Sequence, residues 1–374
     1  MQVRFLGTGA AGGWPNPYCS CSSCCQERVA GRARSSTSLL IDGLILLDCG
    51  PAAIDGARTL HQSLAEVEHV VITHGHPDHL SPAFLLFRHW AHGPDGASMP
   101  PLHLWAPPLA LASCEPWIAP DELGRTVHLH PIVAGDEQTL RTRTSDYCLR
   151  MLPASHDLAS STHGGTPADP LAGEAVLLDL EDADGLRLLY ATDTGPLSAA
   201  ALNMAADRAY HLACIEETFG HFTEHQTGHL DLQSFATTLE DLRKSGAVTE
   251  RTRVVAVHLG HHNPPTPQLR AVLAPRGVDV LDDGTLVSLT PQTSALHQLP
   301  QSTTGTAQLI LGGARSGKSR FAEDLAAGYD QVLYIACART NPEDAEWTAR
   351  IAAHRQRRPT HWHTHESTQL ASTI

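Results

Sequence analysis

The chain has 374 residues, of which 42% are hydrophobic and 18% charged, and its formal net charge is −14. This length is sufficient for two domains, whereas the negative charge argues against binding to nucleic acid or to an anionic membrane, both of which require a positive field. No apolar run approaches the roughly 18 residues of a membrane span, and the N-terminus lacks the basic and long apolar segments of a signal peptide. We therefore expect a cytoplasmic protein without a membrane or nucleic-acid partner.

Short apolar runs followed by polar or glycine-containing turns recur along the chain. They predict strands at residues 3–6, 38–41, 44–47, 69–72, 148–152, 175–178, 186–191, 254–257 and 278–281. Helices are predicted at 53–63, 82–92 and 232–245, the last with Asp231 as its N-cap and Gly246 at its end. Strand pairs come first and helices are interspersed later, which favours an α/β sandwich with helices outside the sheets. Polar residues 294–306 show no pattern, so we place a linker there, between domains at 1–293 and 307–374.

Three of the nine cysteines lie within six residues, in the order Cys19-Ser20-Cys21-Ser22-Ser23-Cys24. With an odd number of cysteines, this spacing suits a metal site in a reducing compartment better than a disulfide framework. A closed structural zinc site needs four ligands, so the fourth must come from elsewhere in the sequence. A redox or free-thiol cluster is the alternative.

The densest group of metal-ligand side chains follows the predicted strand at 69–72. The order Thr73-His74-Gly75-His76-Pro77-Asp78-His79 places three imidazoles and a carboxylate within six residues. A hydrolytic site with two metal ions needs about six to eight nitrogen and oxygen ligands, and a loop after a buried strand can supply several of them. This string predicts a metal centre.

The order His-x-His-x-Asp-His is the signature of the metallo-β-lactamase fold, and residues 1–290 resemble that superfamily. The resemblance implies an αββα sandwich with further ligands at the ends of later strands, where this chain has His156, Asp193 and His258 in that order. It also implies that His74, His76 and His156 hold one metal ion, that Asp78, His79 and His258 hold another, and that Asp193 bridges both. Asp48 matches the family's early aspartate that supports the metal-binding loop.

The chemistry implied by this arrangement is hydrolysis. Two divalent ions, Zn²⁺ or Mn²⁺ or a mixture, share a water molecule and lower its pKa toward neutrality, and Asp78 is expected to be essential for turnover. A leaving alkoxide needs a proton, and His229 is the candidate general acid, with Asp231 as the carboxylate that orients it. The alternative is a surface histidine in a loop that also contains His221 and His225.

Two branches of the superfamily share further features with this chain. The phosphonate-operon cyclic phosphodiesterases and the pyrroloquinoline-quinone biosynthesis B proteins have a similar glycine-containing start and a Cys-x-Cys-x-x-Cys segment. In the phosphodiesterase branch the fourth zinc ligand is a histidine three residues after the last catalytic histidine, which is the position of His261 here. The resemblance thus implies a structural zinc on Cys19, Cys21, Cys24 and His261. The quinone branch tends to lose parts of the histidine set that this chain retains, which favours an active hydrolase over a carrier.

A phosphate-binding pattern of a different kind lies near the C-terminal end. It consists of Gly312, Gly313, Ala314, Arg315, Ser316, Gly317, Lys318 and Ser319. These residues fit G-x-x-x-x-G-K-[ST] between a predicted strand and a predicted helix, which is the context that this motif requires. Backbone N–H groups and Lys318 would bind the phosphates of GTP or ATP, and the Ser319 hydroxyl would bind Mg²⁺.

Residues 307–374 resemble adenosylcobinamide kinase/adenosylcobinamide-phosphate guanylyltransferase, a cobalamin-salvage enzyme. The resemblance rests on LILGGARSGKSRFAE, on QVLYIA at 331–336 and on RIAAHRQRRPTHWHTHE at 350–366. It implies that His354 carries a covalent guanylyl group; the alternative is a solvated helix residue. Because the segment is shorter than that family's domain, we expect a partial P-loop α/β domain, from a longer fusion or from one that has decayed.

The sequence leaves three functions open. The first is a dinuclear metal-dependent phosphodiesterase or phosphomonoesterase that acts on a small-molecule phosphoester, and the attached kinase segment suggests a corrinoid-related substrate. The second is a bifunctional kinase and guanylyltransferase of cobalamin biosynthesis with an accessory hydrolase domain, which adds a nucleoside triphosphate as a partner. The third is a non-catalytic carrier like the pyrroloquinoline-quinone biosynthesis B proteins. Homo-oligomerisation is left open.

Overall fold

A computed structural model describes residues 1–92, 99–118, 127–156, 174–225 and 227–290, together with the two strands Leu333–Ala336 and His363–Glu366. The chain divides into two compact units, Met1–Ser294 and Ala295–Ile374. The predicted linker at 294–306, the phosphate loop at 312–319 and His354 lie outside the described residues.

One sheet of the first unit contains mainly the N-terminal strands. These are β1 (Gln2–Gly7), β2 (Ser38–Ile41), β3 (Ile45–Leu47), β4 (His69–Val71), β5 (Leu102–Ala106) and β6 (Val127–Pro131), with β14 (Leu286–Ser288) beside β1. Their order is β14-β1-β2-β3-β4-β5-β6. Strands β3 to β6 are parallel, so the loops after β3 and β4 leave the same edge of the sheet.

The other sheet contains β7 (Glu137–Arg141), β8 (Asp146–Pro153), β9 (Val176–Asp182), β10 (Arg187–Ala191), β11 (Leu212–Glu216), β12 (Arg253–Val257) and β13 (Val278–Asp279). Their order is β13-β12-β11-β10-β9-β8-β7. Strands β10 to β13 are parallel, and β9 is antiparallel to both β8 and β10. Strands β8, β10, β11 and β12 therefore all end at one edge of this sheet.

The helices are short and lie between the strands. They are α1 (Ser22–Val29), α2 (Pro51–Thr59), α3 (Ala83–Trp90), α4 (Pro108–Cys114), α5 (Ala199–Ala205), α6 (Leu232–Lys244) and α7 (Thr266–Leu273). The predicted cap of α6 is confirmed, because Asp231 accepts hydrogen bonds from the N–H groups of Gln233 and Ser234. Helix α2 ends before residue 63, since His61 has a φ of 52° that is incompatible with a helix. None of the helices in the described ranges has the length and apolar character needed to cross a membrane.

Three hydrophobic clusters define the layers of the first unit. The central cluster lies between the sheets and joins residues such as Phe5 and Leu39 to Leu149 and Tyr190. The second packs α6 and α7 on one sheet, and the third packs α2, α3 and α4 on the other. The layer order helix, sheet, sheet, helix confirms the predicted αββα sandwich.

In the second unit, β15 (Leu333–Ala336) pairs in parallel with β16 (His363–Glu366). Parallel strand pairs are typical of α/β domains.

Candidate metal centre

The candidate site lies where strands of both sheets end. His74 and His76 follow β4, His156 follows β8, Asp193 follows β10 and His258 follows β12. Two of these residues, Asp193 and His258, have positive φ angles of 48° and 55°. Such left-handed conformations are uncommon outside glycine and cluster at functional sites. Here they turn the chain sharply as it leaves each strand.

All seven residues predicted as ligands are brought together. The ligand atoms of His74, His76 and His156 lie within 4.8 Å of one another, and the same holds for those of Asp78, His79, Asp193 and His258. Asp193 connects the two groups. Its Oδ2 lies 3.5 Å from His74 Nε2 and also contacts His79 Nε2, while its Oδ1 lies 3.0 Å from His258 Nε2.

Three buried atoms at the centre of this cluster, His74 Nε2, His79 Nε2 and Asp193 Oδ1, lie within ion-pair distance of a neighbour but have no partner with hydrogen-bond geometry within the described parts of the chain. Buried polar atoms are seldom left in this state. Imidazole nitrogens and carboxylate oxygens that converge on one point are the ligand set of Zn²⁺ and similar divalent ions. The residues present therefore fit a dinuclear metal centre.

Asp48 lies behind the metal-binding loop. Its Oδ2 accepts hydrogen bonds from His79 Nδ1 at 2.7 Å and from Tyr190 OH at 3.1 Å, and its Oδ1 accepts one from the Thr73 N–H at 2.8 Å. Because Nδ1 of His79 donates to Asp48, its Nε2 is left with the lone pair that a metal ligand needs. Tyr190 comes from the opposite sheet, so this carboxylate also joins the two sheets beneath the site.

Two further imidazoles are oriented in the same way. His156 Nδ1 lies 2.9 Å from the Gly228 carbonyl oxygen, to which it donates. His258 Nδ1 lies 2.9 Å from Thr218 Oγ1, and this hydroxyl donates its own proton to Glu216 at 2.5 Å. The hydroxyl oxygen must then accept from His258, which again leaves Nε2 free to bind a metal ion.

The buried groups change one another's pKa. Burial lowers the pKa of His74 well below its ordinary value. For His258 the effect of burial is outweighed by Asp193 and Asp78, which raise its pKa to about 10. For Asp78 burial is outweighed by His79 and His258, which lower its pKa far below the usual range. Since a metal ion binds neutral imidazole, metal binding at His258 would compete with its protonation.

His229 lies at the open side of the cluster, with 21% of its side chain exposed, whereas His258 is only 3% exposed. Its Nδ1 is 3.0 Å from Glu216 Oε1 and 3.4 Å from Asp193 Oδ1. Burial would lower the pKa of His229, but Glu216 and Asp193 raise it above its ordinary value. A histidine whose pKa is raised by a buried carboxylate at the rim of a metal cluster can serve as a general acid.

Asp231 is not the carboxylate that orients His229, so that prediction is wrong. Asp231 caps α6 and lies 3.1 Å from His225 Nε2 instead. Glu216, which takes this role, is fully buried at the end of β11. It was missed because the strand itself was missed, although the apolar run at 212–215 followed by a glutamate could have indicated it.

The cysteine cluster forms a separate site. Ligand atoms of Cys19, Cys21, Cys24 and His261 lie within 4.8 Å of one another, and His261 Nδ1 is 3.4 Å from Cys19 Sγ. Burial would raise the pKa of the Cys21 thiol, but hydrogen bonds from the Cys24 N–H and His261 lower it to about 6. All cysteines in the described ranges are free thiols. Three sulfurs and one imidazole fit a closed tetrahedral zinc site.

Comparison with known families agrees with this geometry. The model of the beta-lactamase superfamily domain matches residues 44–259, more than half of the chain. The chain belongs to the beta-lactamase superfamily. This member of the superfamily also carries a segment, residues 308–374, that matches the model of cobinamide kinase/cobinamide phosphate guanyltransferase. Both resemblances inferred from the sequence are confirmed.

Individual relatives divide between the two segments. Bifunctional adenosylcobalamin biosynthesis protein CobP from Pseudomonas aeruginosa is 57% identical over 68 residues, which are 18% of this chain. The chain spans only 38% of the length of that relative. Zn(2+)-bound PqqB from Methylobacterium extorquens is 22% identical, with a TM-score of 0.58, and covers 77% of this chain and 100% of its own. A diphosphatase from the PhnP family is 17% identical, with a TM-score of 0.56, and covers 77% of this chain and 98% of its own. At these identities the two solved structures show the shared fold.

Proposed function

We propose that the superfamily domain of this chain is a metal-dependent phosphoester hydrolase with two divalent ions, Zn²⁺ or Mn²⁺. The observation that carries the proposal is a complete ligand cluster beside His229, which is held by the buried carboxylate of Glu216. A likeness of fold to a diphosphatase supports chemistry at phosphorus. The complete histidine set argues for hydrolysis over a carrier role.

The residues of the cluster divide into metal ligands and a general acid in this proposal. His74, His76 and His156 would hold one ion, Asp78, His79 and His258 would hold the other, and Asp193 would serve both. When bound, the ions make a water molecule acidic enough to act as a nucleophile near pH 7 and stabilise the charge that develops on phosphoryl oxygens. His229 protonates the leaving alkoxide from Nε2, because its Nδ1 is bonded to Glu216 at 3.0 Å.

We also propose that one zinc ion on Cys19, Cys21, Cys24 and His261 has a structural role. Its ligands join the N-terminal loop to the segment that follows β12. The same two segments already meet at a bridge between Gly9 and Leu259, next to His258. Zinc there would hold this junction in place and so support the nearby ligand. Free thiols at this spacing suit a reducing compartment, which supports a cytoplasmic location.

The match of residues 308–374 favours a second activity, that of a cobinamide kinase and guanylyltransferase. Gly312, Gly313, Ala314, Arg315, Ser316, Gly317, Lys318 and Ser319 would bind GTP or ATP with Mg²⁺, and His354 would accept the guanylyl group. Because the chain spans 38% of CobP, this activity is a proposal for that segment alone. The match to a cobinamide enzyme also suggests that the phosphoester substrate of the hydrolase is corrinoid-related.

The hydrolase proposal is tested by metal analysis together with turnover of bis-p-nitrophenyl phosphate and a panel of phosphomonoesters. We expect Asp78→Ala to remain folded, to lose one of the two ions and to lose nearly all turnover. Asp55→Ala is the matched control, since Asp55 pairs only with Arg58 on the exposed face of α2, and it should behave like the wild type. A metal-loaded wild type that cleaves none of these esters would instead favour the carrier function.

A further inference from the structure

Four side chains beside His229 form what we call the aromatic ledge, namely Phe219, Phe222, His225 and His262. Phe219 stacks on His225 with ring centres 4.3 Å apart and planes inclined by 11°. Phe222 stacks on His262 at 4.8 Å and 20°. Phe219 joins the two pairs, since its ring centre is 5.4 Å from that of His262. The four rings therefore form one contiguous aromatic cluster, in which Phe222 and His262 are exposed.

The ledge directly adjoins the open side of the metal centre. The ring of Phe219 meets His229 edge to face at 5.8 Å. Phe222 is 40% exposed and His262 is also exposed, whereas the metal-ligand imidazoles of His74 and His79 are fully buried. The ledge therefore lies next to the exposed side of His229.

The backbone holds the ledge in a defined position. Gly220 has a φ of 55°, and a Cβ at this residue would lie 2.7 Å from Asn263 Cα, so only glycine permits this close approach of the two loops. The side chain of Asn263 donates to the Glu217 carbonyl oxygen at 3.2 Å. The N–H of Phe222 donates to the Phe219 carbonyl oxygen at 2.8 Å. Rings that are fixed before a ligand arrives lose little freedom when it binds.

We propose that the aromatic ledge binds a flat heterocyclic group that belongs to the leaving group of the phosphoester. The nucleobase of a nucleoside ester would occupy this position. The inference rests on the proposed hydrolase function, because His229 identifies the leaving-group side. Stacking of a base on an aromatic side chain tolerates many ring types and strengthens binding substantially. A flat aromatic ring stacks on a planar group better than on an acyl chain, and the uncharged phenyl rings offer no attraction to a second phosphate.

Isothermal titration of the metal-loaded protein tests the ledge without requiring turnover. Adenosine monophosphate and ribose phosphate, both as non-hydrolysable methylene phosphonates, share the phosphate and sugar and differ only in the base. We expect the wild type to bind the adenosine compound about tenfold or more tightly than the ribose compound. Phe222→Leu should remove most of this difference while leaving ribose phosphate binding unchanged, and Phe222→Tyr should retain it.

Phe87→Leu is the control, because Phe87 is 50% exposed on α3 and is not part of the ledge; it should keep the full preference. Equal binding of the two phosphonates by the wild type would overturn the ledge proposal and leave the hydrolase proposal intact. A preference that persists in Phe222→Leu would overturn it as well. Loss of zinc from the cysteine site as the sole effect of Phe222→Leu would also overturn it and would give the ring a structural role beside His262, which contacts the zinc-ligand candidate His261 at 4.4 Å. Failure of the wild type to hydrolyse any phosphoester concerns the hydrolase proposal and is measured separately.

Discussion

Replacing Glu216 with glutamine tests whether this buried carboxylate acts through His229. Its Oε1 accepts hydrogen bonds from the Thr194 N–H and His229 Nδ1, and its Oε2 accepts from the Leu230 N–H and the Thr218 hydroxyl. Glutamine retains one acceptor oxygen, but its amide nitrogen would face two donors. A hydrogen bond to a buried charged group contributes roughly 1.5–3 kcal/mol. We therefore expect Glu216→Gln to lower the free energy of unfolding by about 2–4 kcal/mol.

The same change should slow catalysis because it weakens support for the protonated form of His229. Loss of an orienting partner typically costs about 10- to 100-fold in activity, whereas loss of a general acid costs roughly 10²- to 10⁴-fold. We expect kcat for a phosphodiester with an alkoxide leaving group, which needs a proton from His229, to fall within the first range in Glu216→Gln and within the second in His229→Asn. Urea unfolding of each variant measures the stability change separately.

The double variant Glu216→Gln/His229→Asn tests whether Glu216 acts through His229 or independently of it. If Glu216 acts through His229, the double variant should be no slower than His229→Asn alone. A double variant whose loss equals the product of the two single losses would refute this reasoning and assign Glu216 to another role, such as support of His258 through Thr218. Glu240→Gln makes the same chemical change on the exposed face of α6 and should leave both kcat and stability close to the wild-type values.

Two further predictions concern the cysteine site and the helix next to it. Cys21→Ser should remove one equivalent of zinc and lower the melting temperature by more than about 5 °C, while the exposed Cys25→Ser should do neither; unchanged zinc content in Cys21→Ser would disprove the assignment. Glu27 is 1% exposed and accepts hydrogen bonds from the N–H and hydroxyl of Thr266; burial would raise its pKa, but Arg32 and Thr266 lower it. Its contribution to stability is therefore complete above about pH 5 and is lost as the pH falls through the lowered pKa. The difference in free energy of unfolding between wild type and Glu27→Gln should shrink in that acidic range. A difference independent of pH would contradict the stabilising role assigned to the ionised Glu27 side chain.

Much of the architecture could be predicted from local patterns. Residues 74–79 supply four candidate ligands from one loop, and the capping signal at Asp231 predicted the start of α6. Strands with continuous apolar runs, such as β4 and β12, were recognised for the same reason. Strands β5 and β6 were missed because histidine and proline interrupt their apolar patterns, and β11 was missed although all its residues are buried.

The sequence by itself determined the four candidate ligands at residues 74–79, because residues close together along the chain must lie close together in space, whereas the ligands further along the chain were inferred from the family resemblance. Only the tertiary structure decided which distant groups meet. Asp231 is two residues from His229 yet serves α6, whereas Glu216 is 13 residues away and reaches it because β11 lies beside β10 and β12. The aromatic ledge likewise joins Phe219 to His262 across two loops. Such pairings depend on strand order and register, which long-range packing selects and short-range spacing does not encode.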